Sequence, residues 1–236
     1  MIQCPVCNTL NHHLSVVCIK CGSYIQNKIE NLDLFSTIWN IIERPGPTFH
    51  KIAIAAHKNY TYILSGVTGI GYIFFIFWIV KAGDYTNSLL NFLIAGILIG
   101  PPLGIITVVF YCFILIVVSR LLRVKISFRN AQAVIAYAMV PVVISVFIIL
   151  PIEVMTFGLF FFSKNPSPYI IKPFSYIVLL VLDGLFSLWT LFLLWKGVKI
   201  LTDKGWIFNS LILLVSLSVL VGSYYFLINY LMLKIG

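Results

Sequence analysis

Five stretches of this 236-residue chain are long, apolar and nearly free of charge, and they leave few folds open. Lys58 and Lys81 enclose 22 uncharged residues, Asp84 and Arg120 enclose 35, and Arg129 and Glu153 enclose 23. Residues 173–195 form a 23-residue run broken only by Asp183, and residues 205–233 add 29 more. A helix rises 1.5 Å per residue, so roughly 20 apolar residues cross the hydrocarbon core of a bilayer. With 61% hydrophobic and 10% charged residues, the chain has too much apolar surface for a water-soluble enzyme, a disordered tail or a secreted disulfide scaffold. The expected fold is an all-α polytopic membrane protein, with spans at about residues 60–80, 101–119, 131–151, 174–195 and 206–233. The 35-residue interval is too long for one span and too short for two with a loop. Proline suits the first turn of a helix, so the second span is expected to start at Pro101-Pro102. Leu89–Ile99 would then be a half-buried or interfacial helix, or an extension kinked at the prolines.

No basic segment followed by an apolar run precedes Asn59, so the first span is expected to serve as its own targeting signal. The formal charge of +9 acquires a meaning once the spans are placed. One side of the membrane receives Lys20, Lys28, Arg44, Lys51, Lys58, Arg120, Arg123, Lys125, Arg129, Lys196, Lys199 and Lys204. The other receives only Lys81, Lys164, Lys172 and Lys234. The positive-inside rule puts the N-terminus in the cytoplasm and the C-terminus outside, with the inner (plasma) membrane as the expected location.

Residues 1–30 carry Cys4-Pro5-Val6-Cys7 and Cys18-Ile19-Lys20-Cys21-Gly22, ten residues apart. Each CxxC forms a tight turn, and two such turns complete a closed tetrahedral four-thiolate site, the arrangement of a structural zinc ribbon. Two disulfides would need an oxidising compartment, whereas the charge pattern places these cysteines on the reducing side. His12 and His13 are expected to be spare. Two lysines and one glutamate in this head make too small an electrostatic footprint for nucleic acid, so the expected partner is another membrane or cytoplasmic protein.

Residues 31–58 read as amphipathic interfacial linker helices. Leu32, Phe35, Trp39 and Ile42 share one face, flanked by Leu34, Ile38 and Ile41. Arg44-Pro45-Gly46-Pro47 is expected to end the first helix and Thr48 to open a second. In that second helix Phe49, Ile52, Ala53 and Ala56 would point inward, and His50, Lys51, His57 and Lys58 outward. Either a membrane surface or the protein's own loops can cover such faces.

Residues 59–236 form the membrane domain. The approach Ile41-Ile42-Glu43-Arg44-Pro45 followed by Phe49, Ala136-Tyr137-Ala138-Met139-Val140-Pro141 in the third span, and Trp195-Lys196-Gly197-Val198 at the fourth-span exit resemble elements of the Yip family. These are Rab/Ypt-interacting multi-pass membrane proteins, and the N-terminal ribbon resembles the prokaryotic branch. The resemblance implies a membrane-organising or complex-forming protein, without an established chemistry. The acidic-Tyr-Gly-Pro element that precedes the first span in eukaryotic members is missing, so no GTPase-binding residues are carried over.

Asp183 lies eleven residues beyond Lys172, near mid-bilayer in the fourth span. An ionised carboxylate there costs about 2.5–3.5 kcal/mol on insertion scales, so it is expected to face the bundle and bond Tyr137 or Ser145. Glu153 is expected at a solvated span end. Pro141 is expected to kink or break the third span. With Asp183, Tyr137 and Pro141 as a polar core, a transporter or an exporter's accessory subunit is the alternative reading. Arg120, Arg123, Lys125 and Arg129 form a basic loop suited to anionic lipid headgroups. Cys112 reads as a small hydrophobe, and Gly66, Gly69 and Gly71 as close-packing positions. No GxSxG, HExxH, P-loop or paired acidic loop motif occurs, so a non-catalytic protein is expected.

Overall fold

The computed structural model describes the backbone of residues 1–235 and the side chains through Ser223, together with that of Tyr225. The last turns of the expected fifth span and Lys234 lie outside the described side chains. The chain divides into two compact units, residues 1–60, 110–135 and 194–236 in the first and residues 61–109 and 136–193 in the second.

The first unit begins with strands β1 (Ile2–Gln3) and β2 (Leu10–Asn11), paired antiparallel with Ile2 opposite Asn11. A second, shorter pairing joins Val17 to Tyr24. Two helices follow, α1 (Leu34–Glu43) and α2 (Pro45–Ile54). Asp33 caps α1 by accepting a 2.7 Å bond from the Ser36 amide, the usual service of an N-cap aspartate. The Arg44-Pro45-Gly46-Pro47 segment does not separate two helices by a turn. Proline is pre-organised for the first helical position, so α2 starts at Pro45, three residues before the expected Thr48.

The exposed face of α1 holds Phe35, Trp39 and Ile42, while Thr37 and Ile41 are buried. Leu32 is buried as well and does not share the exposed face, because it precedes the helix and falls outside its 3.6-residue period. In α2, Phe49, Ile52 and Ala53 point inward as their spacing predicts. Ala56 is exposed, because the helix ends at Ile54.

Among the described residues, five helical elements are long and apolar enough to cross a membrane. They are α3 (Thr61–Val80), α4 (Leu89–Leu121), the pair α5 (Phe128–Ala138) and α6 (Val140–Phe157), α8 (Pro173–Thr202) and α9 (Trp206–Ile235); a short α7 (Pro168–Ile171) precedes α8. Two boundaries differ from expectation, at Pro101-Pro102 and at the end of the third element. Pro101 and Pro102 do not open the second span but sit inside one continuous helix, α4. A proline lacks the N–H that bonds residue i−4, so the carbonyls of Ile97 and Leu98 go without that donor, a loss spread over a 33-residue helix. Pro141 breaks the third span, one of the two outcomes expected of it. The helix stops at Met139 and a new one begins at Val140 with the proline in its first turn. The third apolar element then runs on through a 3-10 turn, Gly158–Phe162, well past residue 151.

In the second unit α3 and α4 meet through glycine. A Cβ on Gly69 would strike the Gly100 carbonyl and the Gly104 backbone, and one on Gly100 would lie 2.7 Å from the Ile70 Cα. Gly96, Gly100 and Gly104 recur every four residues on α4, the small-xxx-small pattern that lets helix backbones approach in lipid. An aromatic cluster fills the far end of this unit. The rings of Phe92 and Phe162 lie 5.0 Å apart, and those of Phe74 and Phe162 lie 5.7 Å apart. Asp84 accepts the Lys164 amide at 2.9 Å, tying together the two loops beside the cluster.

Candidate functional site

The four cysteines of the head converge. Their sulfurs all lie within 4.8 Å of one another, with Cys4 to Cys21 at 3.6 Å and Cys7 to Cys18 at 3.5 Å. Zinc–sulfur bonds of 2.3 Å in a tetrahedron give sulfur–sulfur edges of about 3.8 Å, so the cluster has the size that a four-thiolate ion requires. A disulfide would need about 2.05 Å, and all four thiols are free.

Local chain geometry explains the convergence. Asn8 and Gly22 adopt positive φ, 55° and 72°, directly after each CxxC, turning the chain back over its own sulfurs. The Lys20 amide then donates to Cys18 Sγ at 3.4 Å, and the Asn11 side-chain amide donates at 3.6 Å. The Ser23 hydroxyl lies 3.3 Å from Cys4 Sγ. Such donors favour thiolates. The Ser23 hydroxyl and then the backbone around Cys7 bring the Cys4 thiol down to about 6, and the Cys21 backbone amide lowers Cys18. Asn11 and Ser23 are supporting residues that the CxxC pattern does not announce.

His12 and His13 are outside the sulfur cluster. His13 has another task, since its Nε2 lies 2.8 Å from the Ile200 carbonyl near the end of α8 and its Nδ1 lies 3.8 Å from Asp203. The N-terminal amine also sits 3.7 Å from Asp203. The head is therefore fastened to the end of α8 by its histidine side. Its two knuckle tips, Val6 and Ile19, stand in solvent with 70% and 87% of their surface exposed.

The basic loop residues Arg120, Arg123, Lys125 and Arg129 are all exposed. Arg129 also donates to the Ala56 carbonyl at 2.8 Å, just beyond the C-terminal end of α2. Lys58 caps the same end, donating to the Ile52 and Ala53 carbonyls at 2.5 and 2.7 Å. Burial, and then the nearby Arg129 charge, push the Lys58 amine down to about 8.

Of the two partners expected for Asp183, the structure shows Ser145, which donates to it at 3.0 Å. Tyr137 is fully buried, and neither it nor Pro141 lines the cavity that holds Asp183. Glu153 does line it. Glu153 is only 4% exposed and its carboxyl interacts with that of Asp183, so it is not the solvated span end that the sequence reading expects. The signal lay in the nine residues after it, Val154–Phe162, which carry no charge and prolong the apolar run.

The three segments that carry the family resemblance come together in part. Phe49 is fully buried in the first unit, where the Gly197 position lies against Phe49 and Val134. No curated protein and no solved structure matches the chain. The Yip1 domain family matches residues 39–228, which take in all five apolar elements and the Phe49–Gly197 contact. The chain belongs to the Yip family.

Proposed function

We propose that this protein is a non-catalytic membrane organiser whose N-terminal head, held by one structural zinc, docks a cytoplasmic or membrane-bound protein. The carrying observation is the polarity of the head. Its histidine side is fastened to α8, while the apolar tips Val6 and Ile19 project outward. A ribbon with few charges and exposed apolar tips suits an apolar groove on a protein better than a phosphate backbone. Zinc fits because four thiolates in a tetrahedron complete its coordination and leave no open position for catalysis. About 30 residues with two short strands have little other means of holding a fold, so the ion supplies most of their stability.

The orientation belongs to the same proposal. All twelve Lys and Arg residues that the charge count assigns to one side fall in the first unit; of the four assigned to the other side, Lys81, Lys164 and Lys172 fall in the second, and Lys234 falls in the first. This asymmetry supports an orientation with the head and basic loop in the cytoplasm, and we place the protein in a prokaryotic inner membrane on the family resemblance of its ribbon. The exposed face of α1, Phe35, Trp39 and Ile42, then lies against the headgroups, with the basic loop residues on the same anionic surface. Removing residues 1–30 tests the reading. The shortened chain should still insert in the membrane but lose the partner that co-purifies with the full chain. Retention of that partner would exclude docking by the head.

A further inference from the structure

The second unit holds a half-open cavity of about 420 Å³ lined from α3, α6, the Gly158–Phe162 turn and the first half of α8. That volume lies within the range of small-molecule sites and far exceeds the needs of a single monatomic ion. Much of its wall is aromatic, including Tyr72, Phe74, Phe75, Trp78, Phe161 and Phe186. Two carboxyl residues, Glu153 and Asp183, line the same space.

The polar atoms here are incompletely satisfied. Among the described side chains three buried polar atoms lack a hydrogen-bond partner, and two of them, Glu153 Oε1 and Trp78 Nε1, belong to residues of this cavity. Asp183 has Ser145 as its hydroxyl donor and the Glu153 carboxyl as a hydrogen-bonding neighbour, so Oε1 is the one Glu153 oxygen left to complete. Lys81 rests 4.6 Å above the Trp78 ring but is not among the lining residues, so it does not fill the space beside the carboxyls. Leaving a buried acceptor unpaired costs about 1–3 kcal/mol, and an unpaired buried carboxylate costs more. Evolution retains such a group most readily where a ligand completes it.

We infer that this cavity binds a lipophilic organic ammonium ion. The carboxyl pair supplies the counter-charge. The aromatic faces attract a diffuse cation that an ordinary apolar pocket would reject. Calcium and magnesium require six or more oxygens in a compact shell, and this wall offers chiefly ring carbon around two carboxyls and two serines. Water alone is poorly suited to a wall that is mostly apolar. The Trp78 N–H remains to donate to an ether or hydroxyl beside the ammonium group. Phe75, Gly184 and Ser187 belong to the wall yet are exposed at the surface of this unit, where the long apolar helices face lipid. The ligand therefore enters from the bilayer and carries an apolar tail.

The test uses the full chain in dodecyl maltoside, whose headgroup is uncharged, with radiolabelled octyltrimethylammonium as the probe and empty micelles as the blank. Equilibrium dialysis should show saturable binding at one site per chain, and octan-1-ol should fail to displace it. Glu153→Gln and Asp183→Asn should each weaken binding at least tenfold. Absence of saturable binding, displacement by octan-1-ol, or undiminished binding in either variant would overturn the inference.

Discussion

Gly197 offers a close test of how the α8 exit packs. A Cβ there would overlap the Val134 Cγ1 methyl, while the Phe49 ring carbons stand at an ordinary 3.7 Å. Val134 and Phe49 are buried at about 1% and 0% exposure, so neither can swing into solvent. Gly197→Ala should therefore cost about 1–3 kcal/mol, the range for overpacking a filled interior. For a chain of this size 1 kcal/mol moves the melting temperature by roughly 2–4 °C, which predicts a fall of about 2–12 °C. Val134→Ala removes two methyl-sized groups, each worth about 0.8 kcal/mol, and leaves a small cavity. In the double variant the new alanine Cβ occupies space that Val134 has vacated. The two losses should then be strongly non-additive, with the double variant melting close to Val134→Ala alone. Fluorescence-detected melting in one detergent across the four proteins measures this directly. Summed losses in the double variant would refute the proposed contact.

Two further outcomes follow from the site geometry. Purified protein should hold one zinc per chain, Cys18→Ser should lose it, and metal analysis after gel filtration decides the matter; a variant that keeps its zinc would remove the four-thiolate assignment. At pH 8 an amine-selective acetylating reagent should modify Lys58 ahead of Lys28, read by peptide mass spectrometry. A lowered value leaves about half of the Lys58 amines neutral and nucleophilic near pH 8, whereas the hydrogen bond from Lys28 to Glu30 keeps that amine protonated to higher pH. Arg129→Ala removes a like charge and should slow the Lys58 reaction.

Much of this architecture is legible because lipid imposes a strong rule. Backbone groups in hydrocarbon must bond internally, so an uncharged run of about 20 residues has little choice but helix. The CxxC pairs are equally plain, since their spacing is itself the geometry of a ligand turn. What escaped depends on neighbours in space. Glu153 looks like a span end until Phe157, Phe161 and Phe162 are seen to continue the buried element beyond it. Pro101 and Pro102 carry a start signal for helices in water, and here α4 absorbs them beside the tightly packed Gly100 and Gly104. The inward turn of Thr37 runs against side-chain hydropathy, and only the packing of α1 reveals it. His13 resembled a spare ligand because its true partner, the Ile200 carbonyl, lies 187 residues away in sequence.

The central claim is that the metal-held head docks a protein through its exposed tips. A photo-crosslinking amino acid placed at Ile19, with a second chain labelled at Lys164 as the control, tests it in intact cells. The account predicts a discrete protein adduct from position 19, none of the same mass from position 164, and its loss when Cys4 and Cys7 are replaced by serine. An adduct that survives loss of the cysteines, or no adduct from position 19, would contradict it.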